Sequence, residues 1–294
     1  MTDTPLRLSI LMHGRNDGYM GNFSWRMTTC LNKLAHAIYM LGAEQEIEIV
    51  FCDWGSRDPL IEELDLADIT KTLLRVVIVP PATAAKYDAD SRYSAVHAMN
   101  TISRRARGKY LLFSDTDNYV PFDTMRTLYE SLKMESIAGY SYERTFFWGS
   151  RYHIPKDYHS ANPSSEVLDR YIEDHTQDIE HRIVDLANFL GGAGAFLVKK
   201  SIWDGCRGLD ERFIYWGWSD IELHYRIISR YAISDMDLYG MRFYHLNHYS
   251  TTRPEGINES PHKMNPQIMP TSYAPNGENW GLGNELLRVI SWSN

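Results

Sequence analysis

The sequence predicts an α/β protein with one mostly parallel central sheet and helices on both of its faces. Three observations predict it. Short apolar strands and helical stripes alternate through about the first 117 residues. Three of those strands end in polar loops, at His13 to Asp17, Asp53 to Asp58 and Asp115 to Asp117, and a parallel sheet gathers such ends at one carboxyl edge. A chain of 294 residues that is 44% hydrophobic also has ample material for a buried core.

Leu8 to Met12 is a short buried strand that runs into a loop rich in Gly, Asn and Asp. Met27, Leu31, Leu34, Ile38 and Leu41 then recur at alternating steps of four and three, a single apolar helical stripe that Gly42 stops. Glu46 to Cys52 alternates, with Ile47, Ile49 and Phe51 on one face, and Arg75 to Val79 is a third strand closed by Pro80 and Pro81. Ala95, Met99, Ile102 and Ala106 keep helical spacing up to Gly108. The next strand, Tyr110 to Phe113, opens into Asp115-Thr116-Asp117. Pro121 and Asp123 introduce a helix with Met125, Leu128, Tyr129 and Leu132 inside. From there to about His181 the pattern weakens, and His153, His159, His175 and His181 fit no ligand spacing. From Leu190 a glycine-rich stretch runs into a strand, which suits close backbone approach to a ligand or a tight turn before an edge strand. The tail from Thr251 is rich in Pro, Asn, Ser and Gly and reads as irregular backbone packed on the body, either a lid or a homo-oligomer contact.

A formal charge of −8 argues against nucleic-acid binding, since no basic surplus replaces phosphate counterions. Three widely spaced cysteines match neither a disulfide framework nor a zinc site and read as reduced thiols of the core. No stretch approaches ~18 uninterrupted apolar residues and no signal segment is evident, so a cytoplasmic protein without an integral membrane segment is expected. Peripheral association with a membrane is compatible with that.

Asp115 and Asp117, one residue apart at a strand mouth, are hard oxygen ligands suited to a metal-bound diphosphate; the same residues also read as a polar turn. No glycine-rich phosphate cradle is present, so a metal would have to take over that task. The aromatic-glycine-aromatic bend Tyr215-Trp216-Gly217-Trp218 delivers Ser219, Asp220 and Glu222 onto a helix start. Trp216 and Trp218 offer flat faces for a sugar and Asp220 could take a hydroxyl proton. Equally, Ser219 or Asp220 could be an N-cap and the tryptophans core.

Asp53-Trp54-Gly55-Ser56-Arg57-Asp58, Asn100 and the run from Arg105 to Asp117 together resemble nucleotide-sugar-dependent glycosyltransferases of the GT-A fold. The Gly191-Gly192 block and Tyr215 to Leu223 are similar to the acceptor and catalytic segment of the inverting branch, with its chondroitin-polymerase-like and galactosyltransferase-like enzymes. The resemblance covers roughly Leu8 to His248. It implies a glycosyltransferase domain over residues 1–250, with a nucleotide-binding half over 1–120, an acceptor half over 121–250 and the extension 251–294 packed on it. It implies further that Asp53 bonds the nucleobase, typically uracil, helped by His13, Arg15 and Asp17, with Asn100 also on the nucleotide side. Asp115 then sits near ribose and metal, and Asp117 and His245 complete the ligands of Mn²⁺ or Mg²⁺, with His248 as the alternative histidine. Gly192, Trp216, Trp218, Ser219 and Glu222 fall to the sugar and acceptor, and Asp220 is the general base. Ser219 stands where this branch usually carries an acidic residue, and Asp at 220, where related retaining enzymes carry Asn, favours inversion.

On that reading the partners are a nucleotide-sugar donor, a UDP-sugar by the uracil preference, and a carbohydrate or glycolipid hydroxyl. The metal neutralises charge growing on the leaving diphosphate. Two other classes share the Asp pair: a nucleotidyltransferase or nucleotide-sugar pyrophosphohydrolase, and a non-catalytic sugar-nucleotide-binding protein of the same fold.

Overall fold

The computed structural model describes residues 6–179, 181–182, 194–248 and 263–292. Its first part follows the alternation: β1 (Leu8–Gly14), α1 (Phe23–Met40), β2 (Ile47–Trp54), α2 (Asp68–Leu73), β3 (Leu74–Val79), α3 (Pro81–Asp88), α4 (Ala95–Arg105) and β4 (Tyr110–Ser114). Then come β5 (Asn118–Tyr119), α5 (Phe122–Lys133), β6 (Ser136–Ile137), β7 (Tyr140–Ser141), β8 (Thr145–Gly149), β9 (Arg151–Ile154), α6 (Lys156–His159) and α7 (Ser165–His175). The remainder holds β10 (His181–Arg182), β11 (Ala195–Lys199), α8 (Lys200–Cys206), α9 (Ser219–Ile228), β12 (Ala232–Asp235), β13 (Phe243–Leu246) and β14 (Arg288–Ser291).

Eight strands form the main sheet in the order β12-β8-β11-β4-β1-β2-β3-β14. The block β4-β1-β2-β3 is parallel throughout, and β11 and β14 join it antiparallel on either side. Alternate side chains of these strands feed two cores. Leu8, Ile10 and Met12 of β1 and Ile49 and Phe51 of β2 pack with Met27, Leu31, Leu34 and Ile38 of α1. Leu11, Val50, Cys52 and Trp54 point the other way, to α4, α8 and α9. That period of two is why helices cover both faces. All three cysteines are buried and free.

A second sheet, β10-β9-β13-β5, stands against α6 and α7 over its own core of Tyr119, Tyr152, Ile154, Leu168 and Leu246. Periodicity gives little sign of this region. The run Thr145 to Gly149 is buried at every position, so it does not alternate, and the two-residue strands are too short to carry a pattern. The strand expected after the glycine-rich stretch is β11, an interior strand between β4 and β8 instead of an edge; residues 183–193, with Gly192, lie outside the described residues.

The tail is more regular than expected. β14 pairs antiparallel with β3, so the outer edge of β3 gains hydrogen-bond partners, with Ile290 packing on the core. Trp280 and Leu282 are buried under α4, and Arg105 donates to the carbonyls of Gly281 and Leu282 at 2.7 and 2.8 Å. Gly281 has φ 61°, and a side chain there would collide with the Asn100 carbonyl. Among the described residues no helix is long and apolar enough to cross a membrane.

Two buried features carry measurable stability. In α9 the Arg226 guanidinium lies 2.8 Å from Glu222, both side chains being excluded from solvent, and also donates to the carbonyls of Cys206 and Gly208. Glu222 is thus committed to a structural pair and not to the acceptor. Glu222→Ala leaves that guanidinium uncompensated and should cost about 3–5 kcal/mol in urea unfolding. Burial also holds His97 of α4 and His224 of α9 down to about 4, from an ordinary 6.5. The unfolded chain therefore binds protons there that the folded chain refuses, and stability is lost as pH falls below the ordinary value. The unfolding temperature should drop from about pH 7.5 to about pH 6, a buried carboxylate raised to about 6 offsetting only part of the change, and less steeply in His224→Gln. A flat profile across that interval would contradict this.

Candidate active site

The chain leaves the main sheet at the end of β4 and enters the small sheet at β5, and Asp115, Thr116 and Asp117 make the crossing. A cavity of about 560 Å³ opens there, walled by the end of β1, the crossing, the loop before α4, Trp216 and the end of β13. It lies at the carboxyl ends of β1 and β4, where open α/β sheets take ligands.

β13 pairs antiparallel with β5, which sets His245 opposite Asn118, and the Leu246 N–H donates to the Asp117 carbonyl at 3.0 Å. This register carries His245 Nε2 to 3.4 Å from Asp117 Oδ1, and His248 Nε2 lies 3.7 Å from Oδ2. One ligand atom from each of Asp117, His245 and His248 falls within 4.8 Å of the others, and all three residues are buried. Burial holds His245 well below its ordinary value and His248 down to about 4, so both rings are neutral near pH 7 and keep a lone pair to donate. The separations are too long for good hydrogen bonds, and His245 Nδ1 is buried without a hydrogen-bond partner. Three convergent donors not satisfied by one another fit a divalent cation, and a carboxylate with two imidazoles suits a transition ion such as Mn²⁺ better than Mg²⁺.

Asp115 does not belong to that group. Its carboxylate is engaged by the Arg151 guanidinium of β9, and burial raises it to about 6, against the pull of Arg151 and with repulsion from Asp117 and Asp220. Of the expected set of Asp115, Asp117 and His245, the structure brings Asp117 and His245 together, joins His248 to them and turns Asp115 to Arg151. Both histidines, His245 and His248, face the Asp117 carboxylate.

On the β1 side, His13 Nδ1 lies 2.6 Å from the Tyr93 hydroxyl with the rings stacked, and Arg15 lies 5.5 Å from the Tyr93 ring centre. Arg15 also bonds Asp17 at 2.9 Å. Burial lowers His13 to about 4, so it too is neutral. His13, Arg15 and Asp17 all line the cavity.

Asp53 and Asn100 do not. Asp53 is fully buried and accepts from the Ser56 hydroxyl and from the Leu60 N–H at 2.8 Å, while Ser56 in turn accepts from the Asn16 N–H at 2.8 Å. It shapes the loop behind the cavity and has no oxygen aimed into it. Asn100 bridges α4 to the Leu209 backbone, donating to its carbonyl at 2.8 Å and accepting from its N–H at 2.9 Å. In both cases a polar residue at an element's end is used to satisfy buried backbone groups.

Across the cavity, Trp216 is 38% exposed and lines the wall. Gly217 and Trp218 both take positive φ, 75° and 68°, and this bend launches α9 at Ser219. Trp218 packs on the core behind β4, so a single tryptophan face is presented. Ser219 and Asp220 are half-buried in the first turn of α9, off the cavity wall. Asp220 is near enough to Asp115 for its charge to be felt there. Tail residue Asn265 fastens the bend, accepting from the Tyr215 N–H at 2.9 Å and donating to the carbonyls of Tyr215 and Gly217, both at 2.8 Å. Lys263 reaches Asp90 and the Tyr215 hydroxyl at 3.2 and 3.0 Å, closing the cavity rim.

Three residues of the site escape sequence reasoning. Arg26 of α1 is 1% exposed, lies 3.3 Å from Asp117 Oδ2, and donates to the carbonyls of Gly21 and Tyr19. Its signal was a lone charge within the apolar stripe between Phe23 and Cys30. Arg151 stands in β9 on the half-buried face opposite Tyr152 and Ile154, a weaker signal, and Tyr93 had none.

No protein-family model matches the sequence, and no curated protein does. Among solved structures, that of Staphylococcus aureus TarS 1–349 superposes with a TM-score of 0.52 at 15% identity, over 82% of this chain and 60% of that one. The same protein in complex with UDP gives 0.50 at 14% identity, over 82% and 61%. This chain therefore matches less than two thirds of that protein's length. The likeness is one of fold, and with the parallel block, the crossing after β4 and the helices on both faces it identifies this chain as an α/β protein of the GT-A, nucleotide-diphospho-sugar transferase fold.

Proposed function

We propose that this chain is a metal-dependent glycosyltransferase that moves a sugar from a UDP-sugar to a hydroxyl of a carbohydrate or glycolipid, with inversion. The observation that carries the reading is the buried Asp117, His245 and His248 group opening into a cavity that is bounded by Arg15, Arg151 and Lys263. A cavity of about 560 Å³ has room for a nucleotide sugar. The TarS structure with UDP lends support, since it places that nucleotide in a protein of this fold.

Residues 1–120 would supply the nucleotide side and 121–250 the acceptor side, with 251–294 packed over both. His13 and Tyr93 form a flat, partly buried wall for a base, and the exposed face of Trp216 suits a sugar ring. Asp117, His245 and His248 would hold Mn²⁺ or Mg²⁺, which supplies Lewis-acid neutralisation of the leaving diphosphate. Arg15 and Lys263 add positive charge along the same wall. Asp220 would accept the proton of the acceptor hydroxyl as its oxygen bonds to the anomeric carbon, while the bond from that carbon to the diphosphate oxygen breaks on the opposite face. One C–O bond forms, one breaks, and the configuration inverts without a covalent enzyme intermediate. Its place in the first turn of α9, directly after the bend whose Trp216 lines the cavity, supports its being near the reacting centre. We further propose a cytoplasmic reaction on a soluble or peripherally bound acceptor.

Thermal unfolding with UDP, GDP and CMP, each with Mn²⁺ and with chelator, tests the donor class. UDP at about 100 times its dissociation constant should add about 2.7 kcal/mol to the wild type with metal, and nothing to Asp117→Ala. No shift with any nucleotide would remove the basis of the reading. Asp220→Asn should lower kcat for sugar transfer by about 10²–10⁴-fold and leave UDP binding unchanged. An equal loss of UDP binding would show that Asp220 positions the donor instead.

A further inference from the structure

Arg26 is a fixed cation built into the metal group. Its side chain is 1% exposed, and its Nε lies 3.3 Å from the same Asp117 oxygen that faces His248 at 3.7 Å. A guanidinium cannot shed its proton at any relevant pH. The other carboxylate of the crossing, Asp115, is matched in the same way by Arg151. Two carboxylates thus meet two guanidiniums, and the imidazoles of His245 and His248 add no negative charge. Among the described residues, the carboxylate that faces the two imidazoles therefore brings no unmatched negative charge to a divalent ion. A dication taken up here would leave buried positive charge without compensation, which is costly.

Resting on the glycosyltransferase reading above, we infer that Arg26 is a positioning residue that makes metal uptake conditional on the diphosphate: the ion binds weakly to the free protein and tightly only together with the nucleoside diphosphate. The diphosphate supplies the negative charge that Arg26 and Arg151 have cancelled. By linkage, whatever factor the nucleotide adds to metal affinity, the metal must add to nucleotide affinity. Arg26 also ties the 18–22 loop, which lines the cavity, to Asp117 through the Tyr19 and Gly21 carbonyls, so the charge is held in place by α1 and cannot swing away.

The test is titration of MnCl₂ into the full chain, read by the electron-spin resonance of free Mn²⁺, with and without saturating UDP, for the wild type, Arg26→Gln and Arg26→Lys. Unfolding curves in chelator establish that each variant is folded. In the wild type UDP should tighten Mn²⁺ binding by about tenfold or more. Arg26→Gln should bind Mn²⁺ about tenfold more tightly than the wild type without UDP and show a correspondingly smaller gain with it. Arg26→Lys keeps the charge but gives up most of the loop hydrogen bonds, and should follow the wild type. A wild-type ratio near one overturns the inference, as does Arg26→Gln binding Mn²⁺ no more tightly than the wild type, or Arg26→Lys behaving like Arg26→Gln. If the wild type takes up no Mn²⁺ even with UDP, the metal reading itself falls, a result distinct from loss of coupling.

Discussion

The pairing of β13 with β5 is the constraint on which the rest of the site depends. β5 is two residues long and follows directly on the Asp115 to Asp117 crossing, so whatever pairs with it is brought against those carboxylates. The register that sets Tyr244 opposite Tyr119 and His245 opposite Asn118 leaves Tyr244 in the small core and turns His245 towards Asp117. A slip of one residue would exchange those faces and bury the wrong side chain. The apolar packing of Tyr119, Tyr152, Tyr244 and Leu246 therefore holds the imidazole in place. Ligand geometry is here a consequence of sheet packing, which also makes it rigid.

Most of the fold in the first half was legible because its elements are long enough to show a period. The stripe from Met27 to Ile38 and the alternation of β2 each repeat several times, and both map onto the observed cores. The second half was not legible for the opposite reason. Its strands are two to five residues long, and β8 is buried on both faces, so neither period has room to appear. The site divides along the same line. Asp117 and the His13 to Asp17 loop could be placed because they end regular strands, whereas the meeting of His245 and His248 with Asp117 depends on a strand register that no local pattern encodes, and only the resemblance pointed to those histidines.

Asp53, Asn100 and Glu222 teach a separate lesson. Each stands inside a motif suggestive of ligand binding, and each is spent internally: Asp53 on the Leu60 N–H, Asn100 on the Leu209 backbone, Glu222 on Arg226. A motif tells which polar residues a site needs, but not which of them face the ligand and which hold the backbone that does. Arg26 is the converse. It looks out of place in an apolar stripe, and the misfit reports its role, because a buried guanidinium persists only where partners are arranged around it.

The tail's two attachments bear on when the site comes into being. β14 pairs with a strand roughly two hundred residues earlier in the chain, and residues 263–265 provide the backbone and side-chain partners of the bend at Trp216. On the ribosome, the parallel strands β1 to β4 emerge and can pair long before either attachment exists. The bend with positive φ at Gly217 and Trp218 lacks, until then, the hydrogen bonds that Asn265 gives it. A nascent chain can therefore build the parallel strands of its first half while the Trp216 wall of the cavity is still unfastened, and that wall is fastened only when the last part of the described chain has been made.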